Sequence, residues 1–229
     1  MSTDVLAVWA ETFAHRSLDL SRWELTADGD FREWAVDVVD LPRGSGDFRL
    51  SLGVDTRGTR DDTVKFFGVR GVPLIRLDEE VRISVDIDWN NQVNGSYLSA
   101  AVVLSPHATT KSPLKRPDWF KVEYVGVPPG KNARIVIGLK KEGREQTLYN
   151  EGWPEDNRAG RKIGLQQVGI VLHDQVLQVW ENNKLLYDSK EKVLYFDAAY
   201  LYLQMSSHSN YPQRTIYFDN IRVRRARCH

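Results

Sequence analysis

Three carboxylates stand at positions where they could carry acid–base chemistry. Asp86 and Asp88 lie two residues apart in VRISVDIDW, and Glu123 lies in WFKVEYVGV. Residues two apart in an extended chain share a face, so Asp86 and Asp88 point the same way. If the protein is an enzyme, Glu123 is the best candidate for the acid or base of a catalytic pair, with Asp86 or Asp88 as its partner. The alternative is that all three are solvated polar positions on strand faces.

Other side chains on these segments, or in the loops beside them, suit hydrogen bonding to hydroxyl groups and stacking on apolar rings. Amide, charged and aromatic groups of this kind line ligand sites in proteins. The candidate ligand-binding residues are Trp89, Asn90, Tyr97, Trp119, Lys121, Trp153, Tyr202, Gln204 and His208. They line one trough together with the acids if the strands that carry them share a sheet. Otherwise the tryptophans pack at strand edges, and His208 is structural or solvated.

Hydrophobic alternation with a period of two predicts the elements that position these groups. Apolar and polar residues alternate in residues 47–54, 81–89, 119–127, 133–141, 175–188, 199–206 and 214–223. Turn-forming residues separate these segments, and Asn182-Asn183 predicts a tight hairpin. The pattern predicts an all-β antiparallel sandwich of two packed sheets with little helix, forming a single domain over residues 1–229. The apolar neighbours of Trp23, Trp34 and Trp180 place these three residues in its core.

Charge and composition narrow the classes of partner. Thirty-one basic and 31 acidic residues cancel, so we expect neither nucleic acid nor an anionic membrane as a partner. The basic run RVRRAR near the end is expected to be a solvated tail. Cys228 is the only cysteine, which excludes an intrachain disulfide. No apolar run approaches the ~18 residues of a membrane span, and the first residues do not resemble a signal peptide, so we expect a cytoplasmic protein or a secreted one whose leader has been removed.

Both ends of the chain resemble a known family. The segments ETFAHRSLDLSRWEL and YLYLQMSSHSNYPQRTIYFDNIRV are similar to the concanavalin A-like lectin/glucanase superfamily. That superfamily includes bacterial laminarinase-type hydrolases, carbohydrate-binding modules and uncharacterised jelly-roll proteins. The resemblance implies a jelly roll with a concave outer face that forms a groove for an oligosaccharide or polysaccharide. It implies less about activity, because this fold carries lectins, hydrolases, lyases and inactive modules.

The resemblance also implies a metal site. In several members a structural calcium ion joins the first strand to the last, held by a carboxylate near each end of the chain. Glu11 in AETF and Asp219 in YFDNI stand at the matching places, and Ca²⁺ binds oxygen ligands of this kind. The alternative for Asp219, which is an unfavourable residue inside a strand, is that it caps a turn or pairs with an arginine such as Arg222.

Three functions remain open on the sequence. The laminarinase-like branch carries its acids as Glu-x-Asp-x-Glu on one strand, whereas Lys121 and Val125 flank Glu123 at that spacing here. Because the acidic triad is missing while aromatic and amide residues are plentiful, the first expectation is a lectin-like carbohydrate-binding protein. The second is a glycoside hydrolase with Glu123 as acid/base. The third is a non-enzymatic module whose concave face binds protein.

Overall fold

The described part of the chain is built almost entirely of β-strands. The computed structural model describes residues 5–59, 63–88, 98–126, 134–152 and 165–226. Within these ranges the chain forms sixteen β-strands and a 3₁₀ turn, Pro113–Lys115. The strands are β1 Val5–Glu11, β2 Trp23–Asp28, β3 Glu33–Asp40, β4 Phe48–Asp55, β5 Lys65–Gly71, β6 Ile75–Arg76, β7 Glu80–Asp88, β8 Leu98–Ser105, β9 Trp119–Val125, β10 Arg134–Lys141, β11 Arg144–Gly152, β12 Leu165–His173, β13 Val176–Glu181, β14 Lys184–Lys192, β15 Ala198–Ser207 and β16 Arg214–Ala226. No helix in the described part of the chain is long and apolar enough to cross a membrane.

The strands form two antiparallel sheets. Sheet I has the order β14-β13-β12-β7-β16-β4-β3, with β1 also paired to β16. Sheet II has the order β11-β10-β9-β8-β15-β5-β2, with β6 also paired to β15. Asn182 and Asn183 join β13 to β14 with positive φ angles of 48° and 66°, as a two-residue hairpin turn requires. The predicted all-β jelly-roll sandwich with little helix is confirmed.

The core lies between the two sheets, and alternation along each strand builds it. Val81, Ile83 and Ile87 of β7 point into it from sheet I, and Val122 and Tyr124 of β9 point into it from sheet II. Each of these side chains is at most 2% exposed. Burying an aliphatic side chain of this size stabilises the fold by about 1.5–3 kcal/mol. The residues between them therefore point away from the core, onto the outer faces of the two sheets.

Two of the three tryptophans expected in the core lie elsewhere. Trp23 is buried, as predicted. Trp34 lies on the edge strand β3, is 51% exposed, and packs against Phe67 with ring centroids 5.1 Å apart. Trp180 is half-buried on the outer face of sheet I, because the neighbouring Glu181 takes the inward position on β13. The prediction that Trp34 and Trp180 lie in the core, which was based on their apolar sequence neighbours, is therefore wrong.

The closing strand β16 contains a β-bulge at Asn220. Its pairing with β7 shifts register between Asp219 and Arg222, and Asn220 has a φ of 50°. The extra residue lets Ile221 reach the core while Asp219 and Arg222 both point outward. The strand then continues to Ala226. The basic run near the end is therefore part of a paired strand, and the expectation of a solvated tail is wrong.

Candidate functional site

The structure separates the candidate acids. Glu123 lies on β9 in sheet II, whereas Asp86 and Asp88 lie on β7 in sheet I. All three point to outer faces, which look in opposite directions across a sandwich whose sheets are about 10 Å apart. The expected pair of Glu123 with Asp86 or Asp88 is therefore wrong, and so is one trough shared by all candidate residues. The reason is long-range pairing, because β7 pairs with β12 and β16 rather than with β8 or β9.

Glu123 lies in a groove on the outer face of sheet II. This Glu123 groove has a volume of about 470 Å³. Its lining includes Phe66, Ser99, Leu114, Trp119, Lys121, Glu123, Glu145, Ser206 and His208. The Ser99 hydroxyl donates to Glu123 Oε1 at 2.7 Å and also hydrogen-bonds the Ser206 hydroxyl. The groove therefore presents a carboxylate, two hydroxyls and an aromatic ring within one concavity.

Lys121 neutralises Glu123. Its Nζ donates to Glu123 Oε2 at 2.5 Å and lies 5.4 Å from the centroid of the Trp119 ring. Two residues separate Lys121 from Glu123 along β9, so the ammonium group stands on the same face as the carboxylate. Both side chains are mostly buried, and the pair supplies the groove with both a charged donor and a charged acceptor.

The long connection between β8 and β9 folds over the rest of this face. We call residues 106–118 the strap. The Tyr202 hydroxyl donates to the carbonyl of His107 at 2.5 Å and accepts from the amide of Thr109 at 3.1 Å. The Ser112 hydroxyl donates to Gln204 Oε1 at 2.9 Å, completing three buried contacts between the strap and β15. At its far side the strap reaches β2, where Ala27 N–H donates to the carbonyl of Thr110 at 2.9 Å.

The strap decides which of the expected ligand-binding residues can reach a ligand. Tyr202 and Gln204 are at most 2% exposed beneath it, so the expectation that they contact a ligand is wrong for this conformation. Trp119 is also buried, and its Nε1 donates to the strap carbonyl of Leu114 at 3.0 Å, although one side of its ring still lines the groove. Lys121, Glu123 and His208 do line the groove together. Trp89, Asn90, Tyr97 and Trp153 lie outside the described residues.

The sequence did not identify Ser99, Ser206 and Phe66 as residues of the groove, and it did not predict the strap. The two serines occupy outward positions of β8 and β15 directly opposite each other. Alternation could have assigned them to the outer face, but only the pairing of β8 with β9 and β15 places them near Glu123. The signal for the strap is weaker. It consists of Pro113-Leu114 inside the polar segment HATTKSPLKRPD.

Glu145 is the other carboxylate that lines the groove. It bonds to Lys140 Nζ at 3.4 Å, and its side chain is 63% exposed. Strand pairing places it opposite Lys140, which in turn lies opposite Trp119. Glu123 is four residues further along β9, so the Cα atoms of the two acids are about 16 Å apart by standard strand dimensions. The two acids therefore do not form a close pair.

Glu11 and Asp219 do not fit a shared calcium site. Glu11 Oε1 accepts from the amides of Thr12 and Phe13 at 3.1 and 2.9 Å, and Glu11 Oε2 pairs with Arg22 at 2.9 Å. The residue of β16 opposite Glu11 points into the core, whereas Asp219 points outward. Cross-strand partners point to the same side of a sheet, so the two carboxylates lie on opposite sides. Among the described residues, no group of three or more histidine, cysteine or acidic side chains is arranged to hold a metal ion.

Asp219 instead lies beside a second carboxylate, Asp86, its cross-strand partner on the neighbouring strand β7. The side-chain amide of Asn220 donates to Asp86 Oδ2 at 2.9 Å and to Asp219 Oδ2 at 3.2 Å. Burial raises the pKa of Asp219 to about 6, the hydrogen bond from the backbone N–H of Asn220 at 2.6 Å opposes the rise, and the charges of Asp47 and Asp86 add to it. The acid in the closing strand is therefore held at a bulge by Asn220, and it does not pair with Arg222.

The raised pKa of Asp219 makes stability depend on pH. The folded protein holds a proton that the unfolded chain has released between about pH 4 and pH 6, so stability falls as pH rises through this window. An amide mimics the protonated acid. We expect Asp219→Asn to raise the free energy of unfolding by about 1–3 kcal/mol above pH 6, and this gain to vanish near pH 4. Urea denaturation across this range measures it.

Asp37→Asn is the matched control for this measurement. Asp37 also accepts from the amide of the next residue, at 2.8 Å, but its side chain is exposed. The change that this variant produces at each pH measures what the replacement of an exposed aspartate does by itself, and it is subtracted from the change produced by Asp219→Asn. A gain in the Asp219 variant that is the same at every pH would contradict the account given for Asp219.

Comparison with known proteins finds similarity in structure and no match in sequence. No family model and no curated protein matches the sequence. The catalytic domain of an endo-1,3-beta-glucanase (laminarinase) from Thermotoga petrophila RKU-1 superposes with a TM-score of 0.67 at 13% identity, over 99% of this chain and 100% of that chain. A Zobellia galactanivorans LamA protein in complex with laminaritriose and laminaritetraose gives 0.64 at 10% identity, over 96% and 98%. A Bacillus licheniformis beta-glucanase gives 0.62 at 8% identity, over 94% and 96%.

These superpositions cover nearly the whole of both chains in each case. At identities of 13% and below they demonstrate a common architecture. The two packed antiparallel sheets of this chain agree with it. The chain therefore has the concanavalin A-like jelly-roll fold that laminarinase and beta-glucanase catalytic domains share.

Proposed function

We propose that this protein binds a neutral oligosaccharide or polysaccharide in the Glu123 groove and does not hydrolyse it. The fold supports a carbohydrate ligand, since structural neighbours include glucanase catalytic domains and a protein in complex with laminaritriose and laminaritetraose. Fold alone does not fix activity, so the groove's own chemistry has to support the proposal.

The lining of the Glu123 groove suits sugar hydroxyls. Its volume of about 470 Å³ lies within the usual range for small-ligand sites. Lys121 and Glu123 supply a charged donor and a charged acceptor, and Ser99 and Ser206 supply hydroxyls that can do both. The ring of Phe66, half-buried at the same concavity, offers an apolar surface for a pyranose face.

The observation that carries the proposal is the pairing of Glu123 with Lys121. A retaining glycosidase needs a second carboxyl group about 5–5.5 Å from the first. Two residues along β9 from Glu123, the outward positions hold Lys121 on one side and Val125 on the other. Neither of the two positions on β9 that flank Glu123 on this face therefore carries a second acid, and one of them carries an ammonium group, which favours binding over hydrolysis.

Titration calorimetry with laminari-oligosaccharides tests the proposal. We expect the unmodified protein to bind, and Glu123→Gln to lower affinity about tenfold, because a charge-assisted hydrogen bond is lost while the side-chain shape is kept. Glu145→Gln is the control, since Glu145 lies at the exposed rim of the same groove. A parallel assay measures release of reducing sugar by both proteins.

The two assays separate the three functions. Binding that weakens in the Glu123 variant, with no reducing sugar from either protein, supports the proposal. Sugar released by the unmodified protein and abolished by Glu123→Gln would replace it with glycoside hydrolysis. Absence of both binding and product across neutral glucans would favour a protein-interaction module.

A further inference from the structure

A second groove lies on the outer face of sheet I, on the opposite side of the molecule from the Glu123 groove. It has a volume of about 660 Å³. We call it the arginine groove, and the residues that define it are Arg82, Ser84, Gly169, Trp180, Arg222 and Arg224. None of them belongs to the site described above, because they lie on β7, β12, β13 and β16 of the other sheet.

Strand pairing places these residues in two rows. Trp180, Gly169, Ser84 and Arg222 lie side by side across four adjacent strands, so the row spans about 14 Å between the Cα atoms of Trp180 and Arg222. Gly169 and Ser84 have the smallest side chains of the row. The arginine groove is therefore deepest in the middle of this row, with Trp180 at one end of the row and Arg222 at the other.

The second row supplies further positive charge. Arg224 lies directly opposite Arg82 on the neighbouring strand, one side-chain step along from Arg222. Arg82 bonds to Glu80 at 2.7 Å. Arg222 and Arg224 are exposed, and in the part of the chain that the structure describes neither guanidinium has a carboxylate partner. Two strongly basic groups therefore line the groove, and no carboxylate of the described residues neutralises them.

The charge pattern of sheet I fixes where an anion can lie. In the opposite direction along the same strands, the next row holds Asp86 opposite Asp219. Gln167 lies in the same row, opposite Asp86 on β12, with its Nε2 3.4 Å from Asp86 Oδ1, and it lines the edge of the groove. An anionic ligand is attracted to the arginines and repelled one row away, so the face favours one position for it.

We propose that the arginine groove binds an acidic polysaccharide, one whose sugars carry carboxylate or sulfate groups. Guanidinium groups bind such anions through paired, charge-assisted hydrogen bonds. The indole of Trp180 beside the bare backbone of Gly169 offers a flat apolar platform for a sugar ring. A nucleic acid is disfavoured because the net charge of the chain is zero and acids lie one row away. This inference does not depend on the function proposed for the Glu123 groove.

Titration calorimetry of the unmodified protein at low and high salt tests the inference. The probes are an oligogalacturonate, dextran sulfate, an uncharged laminari-oligosaccharide and single-stranded DNA. The variants are Trp180→Ala and the double variant Arg222→Gln/Arg224→Gln. Arg134→Gln and Arg144→Gln, which remove exposed arginines of sheet II, are the controls. Thermal melting of each variant verifies that it is folded.

The expected result is tight binding of at least one acidic polysaccharide. The double arginine variant should weaken it about tenfold or more and flatten its salt dependence. Trp180→Ala should weaken it about fivefold and leave the salt dependence in place. The control variants should stay within about twofold. The uronate and sulfate probes distinguish the two sources of negative charge.

Three results would overturn the inference. The first is no binding of either acidic polysaccharide by the unmodified protein. The second is binding that Trp180→Ala leaves unchanged, which would reduce the groove to a charged surface without a sugar platform. The third is DNA that binds as tightly as the acidic polysaccharides and is lost in the same variants.

Discussion

Replacing Gly68 by alanine should destabilise the protein by about 3–5 kcal/mol, a loss that only a few kinds of single substitution produce. Gly68 lies in the middle of β5, opposite Gln204 of β15. An alanine methyl group there would overlap the backbone carbonyl of Leu203 and stand 2.9 Å from the Cα of Gln204. Because both neighbours are backbone atoms, the clash can be relieved only by pulling β5 away from β15. Guanidinium denaturation monitored by tryptophan fluorescence measures the loss.

Gly53→Ala is the matched control. Gly53 also lies inside a strand, β4, but a methyl group there would meet Thr215 Oγ1 at 3.5 Å, an ordinary contact. Alanine is normally favoured over glycine within a strand by about 0.5–1 kcal/mol, so this variant should be neutral or slightly more stable. Equal losses in the two variants would mean that the close approach of β5 and β15 is not what makes Gly68 necessary.

Glu11→Ala should cost about 2–3 kcal/mol of unfolding free energy. The Glu11 side chain is 7% exposed, accepts from two backbone amides, and pairs with Arg22, whose Nη2 also donates to the carbonyl of Ala10 at 2.7 Å. Its removal leaves those amides and the guanidinium without their acceptor. Phe13, which has a positive φ of 54°, then loses the contact that holds its backbone. Thermal and urea unfolding measure the effect.

Glu11→Gln and a chelator identify the cause. Glutamine keeps an acceptor for the amides and loses only the charge, so we expect about half of the alanine effect. Addition of EDTA or of Ca²⁺ should change the unfolding free energies of all three proteins equally. If EDTA destabilised the unmodified protein and left Glu11→Ala unaffected, Glu11 would be a metal ligand after all.

Alternation in the sequence was sufficient to assign faces. It placed Asp86, Glu123 and Lys121 outward and their apolar neighbours in the core, and the hairpin at Asn182-Asn183 followed from its two residues. These are local properties, since side-chain direction in a strand depends only on position within it. The resemblance at the two chain ends supplied the jelly roll.

Sheet membership could not be derived in the same way. Whether Asp88 and Glu123 share a surface depends on which strands pair, and β7 pairs with β12 and β16, both far along the chain. The burial of Tyr202 and Gln204 depends on the strap, whose hydrogen bonds to β15 join residues about ninety positions apart. No local pattern encodes such contacts, so the sequence assigned residues of both sheets to one common surface.

Asn220 has a consequence for how this chain can be compared with others. Before it, odd-numbered residues of β16 such as Asp219 face outward; after it, even-numbered ones such as Arg222 and Arg224 do. If Asn220 took the regular strand conformation instead of forming the bulge, Ile221 would turn toward water and the two guanidiniums toward the hydrocarbon interior. Removal of the extra residue would instead restore regular alternation, so a strand that aligns with a single gap at Asn220 would keep the orientation of every later side chain.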